Sequence, residues 1–149
     1  EYNDKQFNEI SSLFSEKMIK YSLLNHNYNN ENLILIDKFG LLKNIFRYTD
    51  LAYIGGGFDD GVHNTTEAAI HGNYLLFGPN YENFEDAKHY VKSEIALVVK
   101  SISTFKSNSL VFDFSKTNKT KNKKIVFDYI QQCQISKESI INIVNKILN

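Results

Sequence analysis

Four short apolar runs, separated by stretches with helical spacing, constrain the fold of this chain most strongly. The runs cover residues 33–36, 51–54, 74–77 and 95–99. Uninterrupted apolar runs of this length are typical of strands that are covered on both faces. Because the connections between them are too short for anything but βαβ units, the strands should be parallel, with right-handed crossovers. The pattern predicts an α/β fold with a Rossmann-like, doubly wound, mainly parallel sheet flanked by helices.

The stretches around these runs predict helices and one further strand. A first helix should follow a cap at Asn3 or Asp4. Its apolar face comprises Phe7, Ile10, Leu13 and Phe14. Residues 18–24 form a short mixed run that predicts a strand, followed by an Asn-rich turn over 25–32. Further helices are expected from near Gly40 to 47, over 64–71 and over 82–92.

The last third of the chain has a different character. Residues 105–114 alternate like a strand in part, yet the region could also be helical. The Lys-rich run 116–124 predicts a solvated loop. An apolar helical face follows, comprising Ile125, Val126, Tyr129, Ile130 and Cys133. Ser136 is then predicted to cap a separate final helix. The apolar stripe of that helix comprises Ile140, Ile141, Val144, Ile147 and Leu148.

The composition excludes several classes of protein. The chain has 149 residues, 42% of them hydrophobic, which suits one domain with a core and excludes a disordered chain. Its 17 basic and 17 acidic residues balance, which argues against a nucleic-acid binder. The single cysteine, Cys133, excludes a disulfide scaffold and fits a reducing compartment. No apolar run approaches the ~20 residues of a membrane span. Because the chain begins at Glu1 without methionine, we expect it to be a piece of a longer protein.

The sharpest candidate site follows the second apolar run. Gly55, Gly56 and Gly57 come directly after this strand, so another group could approach the backbone closely. The loop leads into a predicted helix whose first free amides, near Thr65 and Thr66, carry the positive end of the helix dipole. Ligands of open α/β sheets bind at the carboxyl ends of strands. The pattern therefore indicates a site for a phosphate diester that requires no arginine.

Two better-known phosphate-binding motifs do not fit this loop. A dinucleotide fingerprint, G-x-G-x-x-G counted from Gly55, needs glycine where Asp60 stands, and Gly61 comes one residue late. The acidic ribose partner expected about twenty residues later would fall on the apolar run 74–77. The Gly-Lys-Ser/Thr sequence of a Walker loop does not follow either. We therefore expect no nicotinamide or other cofactor, and we assign no metal site.

Asn64 and Glu67 allow two interpretations. An Asn followed three residues later by Glu resembles a capping box, which stabilises a helix end without any ligand. In the functional interpretation the Glu67 carboxylate accepts hydrogen bonds from a ribose diol, because a phosphate would repel it. His63 is a candidate donor near the phosphate, although a single loop histidine is more often structural.

A second candidate stretch follows the first of the four apolar runs. Phe39 is an aromatic residue at the tip of the predicted strand, and Gly40 opens the next helix. The backbone of Phe39, Gly40 and Leu41 could contact a nucleobase edge while the ring packs on the base. The alternative is ordinary packing under a loop. Residues 78–81 form a third loop at the same edge, where a turn before a helix is the favoured interpretation.

These stretches together resemble one protein family. Four separated motifs occur in order, at residues 36–41, 52–58, 61–69 and 76–87. They are similar to the C-terminal half of 3-deoxy-D-manno-octulosonic acid (Kdo) transferases. The resemblance covers roughly the first hundred residues, and the rest of the chain shares only a helical character. The chain departs from the family at Ala68, where many members carry a helix-starting proline.

The resemblance implies a two-domain glycosyltransferase of the GT-B type, which transfers Kdo from CMP-Kdo to a lipid A precursor at the cytoplasmic face of the bacterial inner membrane. Residues 1–135 would be the CMP-Kdo-binding Rossmann-like domain without its first strand. Residues 136–149 would be its C-terminal helix, docked on an N-terminal domain. By motif, the contacts to CMP would come from Phe39, Gly40, Leu41, Asn64, Thr65, Thr66 and Glu67. Candidate neighbours of the phosphate or sugar are Gly56, Gly57 and His63.

The same resemblance assigns the catalytic carboxylate, the acceptor site and the membrane-binding surface to the N-terminal half of the family. No residue of this chain is assigned as catalytic, because Asp59 and Asp60 lie on a glycine-flanked loop with nothing evident to hold them. We therefore expect the chain alone to bind donor without transferring Kdo, and to self-associate through its apolar C-terminal stripe. Two other classes stay open: another GT-B nucleotide-sugar transferase, and a non-catalytic partner-binding module of this fold.

Overall fold

The computed structural model of the chain describes residues 8–10, 12, 18–24, 32–101, 103 and 118–148. The chain divides into two compact units, Glu1–Asn44 and Ile45–Asn149. None of the helices in the described residues has the length and apolar content that a membrane span requires.

The first unit contains a two-stranded parallel sheet. β1 (Met18–Lys20) pairs with β2 (Leu33–Leu35), and a 3₁₀ turn, Tyr21–Leu23, follows β1. The strand predicted over 18–24 is therefore confirmed for its first three residues. Residues 8–10 and 12 are helical, as expected for the first helix. Its predicted caps and most of the Asn-rich turn lie outside the described residues.

Two predictions for the first unit need correction. Leu33 and Ile34 of β2 are exposed, although the apolar run predicts cover on both faces. In the described part of the chain β2 has one hydrogen-bonded neighbour, and so narrow a sheet offers its side chains few packing partners. The helix predicted from Gly40 begins later, as α1 (Leu42–Ile45) with a 3₁₀ turn at Phe46–Tyr48. Gly40 has a φ of +79°, which a right-handed helix cannot contain.

The second unit contains the predicted parallel sheet in three strands. β3 (Leu51–Ile54), β4 (Tyr74–Phe77) and β5 (Ala96–Val98) are hydrogen-bonded in that order, all parallel. The crossovers carry α2 (Thr66–Ala69) and α3 (Glu85–Lys92). The α/β class is therefore confirmed, and both helices begin two or three residues later than the sequence predicts.

The core of the second unit lies on the central strand. Leu75 and Phe77 of β4 are fully buried, together with Ala68 of α2 and Tyr90 of α3. Asn73, which is also fully buried, donates its side-chain amide to the carbonyls of Phe46 (2.8 Å) and Ala68 (3.0 Å) and accepts from the Thr49 hydroxyl (2.9 Å). A buried amide with its hydrogen bonds satisfied fixes the entry to β4.

A single long helix, α4 (Lys119–Leu148), closes the chain and corrects two predictions. Most of the Lys-rich run is helical, because the Asn118 side chain caps the Lys121 amide (3.0 Å) and buried Asn122 donates to the Gly72 carbonyl (3.1 Å). Ser136 caps no separate helix. Its hydroxyl donates to the Gln132 carbonyl (2.9 Å), which satisfies it inside a continuous helix. Residues 105–114 lie outside the described residues.

One apolar seam runs along α4 at seven-residue intervals, through Val126, Cys133, Ile140 and Ile147. Val126 is buried against the core, whereas Ile140 and Ile147 are 61% and 75% exposed. The N-terminal half of the helix therefore packs on the core of the second unit. The same face of the helix continues in the C-terminal half, where its side chains are exposed.

Candidate functional site

The loops that follow β3 and β4 meet at the carboxyl edge of the sheet. The Asn80 amide donates to the Gly57 carbonyl (2.8 Å), and the Val62 amide donates to the Asn80 carbonyl (3.1 Å). The Asn80 side chain also donates to the Asp59 carbonyl (2.8 Å). The backbone of Asp59 is therefore held on both sides, which the sequence did not lead us to expect, whereas the side chains of Asp59 and Asp60 are exposed.

The glycines of this loop are approached closely, but by the chain itself. A Cβ on Gly57 would lie 2.6 Å from the Gly78 nitrogen, so two backbones are in contact there. A Cβ on Gly56, which has a φ of +84°, would lie 2.7 Å from the ring of His63. The His63 ring therefore packs over the loop, and the His63 amide donates to the Gly55 carbonyl (3.0 Å). Both contacts agree with a structural role for this histidine.

Asn64 occupies the Thr66 amide, one of the two that were expected to be free, and the Glu67 amide that follows it. Its Oδ1 accepts from the backbone amides of Thr66 (3.1 Å) and Glu67 (3.3 Å), and its Nδ2 donates to the Glu67 carboxylate (3.2 Å). The capping interpretation of Asn64 and Glu67 is therefore present in the structure. Both side chains remain exposed to solvent at the rim of the loop.

Thr65 and Thr66 are anchored from below by α3. Both hydroxyls donate to Oδ2 of Asp86, at 2.5 Å for Thr65 and 3.1 Å for Thr66. The Thr66 hydroxyl also shares a hydrogen bond of 3.0 Å with the phenol of Tyr90. The sequence analysis missed Asp86 and Tyr90, although their four-residue spacing puts them on one face of a helix. They fix the segment that presents Asn64.

Tyr90 belongs to a cluster of titratable side chains between α3 and α4. The His89 and Tyr129 rings stack with centroids 4.2 Å apart, and Tyr90 packs edge-on against Tyr129. Burial lowers the pKa of His89 and raises the pKa of Tyr90. Burial, with a hydrogen bond to Cys133, raises the pKa of Tyr129 to about 12. Both phenols therefore stay neutral, and they act as packing and hydrogen-bonding groups.

Phe39, Gly40 and Leu41 belong to the first compact unit. Phe39 is 86% exposed, as expected for an aromatic residue at a strand tip. Two residues earlier in the chain, Asp37 accepts hydrogen bonds from the amide and hydroxyl of Ser22, and the hydroxyl bond is the main cause that lowers the pKa of Asp37. Because Asn64 to Glu67 belong to the second unit, the expectation that both stretches contact one nucleotide stays a prediction.

The described residues hold no cluster of three or more His, Cys, Asp or Glu side chains that could bind a metal ion. What the carboxyl edge of the sheet does offer is an exposed carboxylate, an exposed carboxamide and two backbone amides that already donate to a side-chain oxygen. Such a set can bind a diol through Glu67 and an anionic oxygen through the amides of α2.

Comparisons with known proteins identify relatives over the same part of the chain. No protein-family model matches the chain. A 3-deoxy-D-manno-octulosonic acid transferase from Rickettsia bellii is 29% identical over 121 residues, which cover 68% of this chain and 28% of that protein. A transferase of the same name from Chlamydophila psittaci is 35% identical over 82 residues, covering 52% of this chain and 19% of that protein. A bifunctional glycosyltransferase/methyltransferase from Fusobacterium nucleatum is 32% identical over 104 residues, covering 65% of this chain and 16% of that protein.

A solved structure has a similar fold. The chain aligns with the C-terminal CMP-Kdo binding domain of WaaA from Acinetobacter baumannii with a TM-score of 0.68 and 16% identity, over 85% of this chain and 67% of that chain. The predicted fold class is therefore confirmed, and the resemblance inferred from the four motifs is confirmed by the relatives. The chain spans between 16% and 28% of the length of the three relatives it matches above.

Proposed function

We propose that this chain is the donor-binding domain of a glycosyltransferase that moves Kdo from CMP-Kdo to a lipid A precursor. The observation that carries the proposal is the polar rim formed by Asn64 and Glu67, at the carboxyl edge of a parallel sheet whose fold resembles a CMP-Kdo binding domain. The names of the sequence relatives support the same reaction class.

The hydrogen bonds of Asn64 suggest how this rim would accept CMP. A phosphate oxygen would replace Asn64 Oδ1 on the amides of Thr66 and Glu67, because a charged acceptor makes a stronger bond than a neutral one. The Asn64 side chain would then leave Glu67, whose carboxylate would accept the ribose hydroxyls. The phosphate or sugar would be bordered by Gly56, Gly57 and His63. We assign no catalytic role to these three residues.

The base would be contacted by Phe39, Gly40 and Leu41, as the family resemblance implies. The exposed ring of Phe39 is available for packing on a base, and Gly40 has open space where a Cβ would stand. This assignment is separate from that of Asn64 and Glu67 and can fail independently.

The remaining parts of the reaction are assigned outside these residues. We place the catalytic base, the lipid A precursor and docking at the cytoplasmic face of the inner membrane in further parts of a longer protein, because the matched relatives are several times longer than the matched region. Residues 136–149 would contact that further domain. The chain alone should therefore bind donor nucleotide and transfer no Kdo.

Nucleotide selectivity tests the proposal. The chain, and a version extended at its N-terminus to the length of its relatives, would be titrated with CMP, UDP and GDP in a calorimeter. The proposal requires that CMP binds at least one of the two proteins and that it binds more tightly than UDP and GDP. Tighter binding of UDP or GDP would instead favour a different nucleotide-sugar transferase, and failure of all three would favour a non-catalytic module.

A further inference from the structure

The first turns of α4 carry a charge pattern that opposes helix stability. The first six residues of the helix include four lysines, Lys119, Lys121, Lys123 and Lys124, and no acidic residue lies between Asp113 and Asp128. The first turn of the helix holds no acidic side chain. Positive charge at a helix N-terminus is unfavourable because the helix dipole is positive there. Among the ion pairs of the described residues, only Lys119 of these lysines contributes one, between its Nζ and Oδ1 of Asp50 at 3.1 Å. Sequence patterns that break such a local rule are often explained by function.

Two of these lysines border an apolar groove. The groove, with a volume of about 400 Å³, is lined by Ile70, Lys123, Lys124, Val126, Phe127 and Ile130. Phe127 is 60% exposed and Ile70 is 46% exposed, so two large apolar side chains meet solvent in a groove that two lysines also line. On the helix, Phe127 lies one turn after Lys123 and Lys124, which puts the ring and both charges on one face. Asp128, the nearest acidic residue in sequence, does not line the groove.

We propose that this basic groove binds the anionic surface of a lipid bilayer. An anionic lipid offers both of the complementary chemistries, since its phosphate pairs with Lys123 and Lys124 while its acyl region contacts Phe127 and Ile70. Lysines with long aliphatic stems are suited to such a border between apolar and charged phases. A nucleic acid fits less well, because it would leave the apolar side chains of the groove uncovered and the groove contains no arginine for bidentate phosphate contacts. The proposed surface is distinct from the polar rim of Asn64 and Glu67 and does not depend on it. It would be a second bilayer contact, in addition to the membrane docking that we place in further parts of the longer protein.

Vesicle binding tests the groove directly. The chain would be sedimented with vesicles of phosphatidylcholine alone, and with vesicles in which about a third of the lipid is phosphatidylglycerol. We expect binding to the anionic vesicles only, and its loss when added salt shortens the Debye length to about 3 Å. Replacing both lysines, Lys123→Gln with Lys124→Gln, should lower the partition coefficient about 30-fold. Phe127→Ala should lower it about tenfold, because the ring no longer enters the apolar layer.

A matched control distinguishes the groove from general positive charge. Lys137→Gln with Lys146→Gln removes the same charge from exposed positions of the same helix outside the groove, and should leave binding unchanged. Circular dichroism would show that each variant keeps its helix content. The proposal is wrong if the control weakens binding as much as the Lys123 and Lys124 pair, if neutral vesicles bind equally, or if Phe127→Ala binds like the wild type. Calorimetric titration of the same variants with CMP tests the donor site and not the groove, so the two proposals can be judged separately.

Discussion

Asp86 is the residue that links the polar rim of Asn64 and Glu67 to the body of the domain. Its carboxylate accepts the hydroxyls of Thr65 and Thr66, and Thr65 is almost completely buried. Burial of a hydroxyl is tolerated only when its hydrogen bond is made, and a charged acceptor makes that bond stronger. The position of Asn64, one residue before this pair, therefore depends on a side chain from α3.

Asp86→Asn should destabilise the domain by about 1–3 kcal/mol, since two hydroxyls lose a charged acceptor. Glu85→Gln is the matched control, because it removes the same charge from the same helical turn, where the carboxylate is exposed and pairs with Lys88. An exposed pair contributes about 0–1 kcal/mol. Urea unfolding measures both values, and equal losses for the two variants would show that the threonine contacts contribute nothing.

At the scale of elements, the strands are predicted well because their signal is local. The bounds of β3 and β4 agree with the apolar runs 51–54 and 74–77, since both runs are flanked by residues that end a strand. The helix termini are predicted less well. Ser136 has a good capping side chain, but the sequence around it contains no Gly or Pro to break the helix, so the hydroxyl bonds backwards instead. The helical start of the Lys-rich run depends on a distant contact of Asn122 that no local pattern reveals.

The contact between the two loop backbones predicts opposite results for neighbouring glycines. Gly57→Ala should cost about 1–3 kcal/mol, because its Cβ would lie 2.6 Å from the Gly78 nitrogen. Gly55→Ala should be close to neutral, since its Cβ would meet only His63, at an ordinary 3.7 Å. Thermal or urea unfolding of both variants checks the difference. If the two substitutions cost the same, the loops do not pack as described.

The stack of His89 on Tyr129 predicts a pH-dependent stability. Burial lowers the pKa of His89 below its ordinary value of about 6.5, so the unfolded chain binds a proton that the folded chain excludes. The contribution of neutral His89 to the free energy of unfolding is therefore complete above a pH of about 6.5. It is lost as the pH falls from there towards the lowered pKa of the folded state. His89→Phe keeps a ring for the stack and cannot titrate.

Melting temperatures at about pH 7.5 and about pH 5.5 test this expectation. The wild type should lose more stability on acidification than His89→Phe, and the difference between the two proteins removes the contribution of the other histidines. An identical loss in both proteins would mean that His89 titrates as it does in the unfolded chain.

At the scale of the whole molecule, the sequence predicts which loops follow the parallel strands more reliably than it predicts the contacts that those loops make. The glycines after β3 were expected to admit a ligand, yet Gly78 and His63 fill the space beside Gly57 and Gly56. The Gly78 contact comes from the loop after β4, and the His63 contact comes from the far end of the same loop. The local pattern of three glycines does not reveal either contact. The loops that carry the family motifs after β3 and β4 nevertheless meet at one edge of the sheet, because the two strands are parallel neighbours.

The uncovered end of α4 predicts self-association of the isolated chain. The seam through Ile140 and Ile147 continues the face that the domain buries at Val126, and association would remove it from water. Ile140→Gln with Ile147→Gln should shift the chain towards monomer in analytical ultracentrifugation at high concentration. Ile135→Gln is the control, since Ile135 is 64% exposed but lies about 140° around the helix from Ile140. A monomeric wild type would contradict the prediction.

The measurement that tests the central claim most directly is the affinity for CMP of Glu67→Gln, with Asp128→Asn as a control for loss of an exposed carboxylate elsewhere in the domain. Calorimetric titration of the N-terminally extended protein should show CMP binding weakened by about 1–3 kcal/mol in Glu67→Gln, because the ribose hydroxyls lose a charged acceptor. The control should bind like the wild type. Equal CMP affinity in all three proteins, with only the melting temperature of Glu67→Gln lowered, would contradict the account and leave Asn64 and Glu67 as a helix cap.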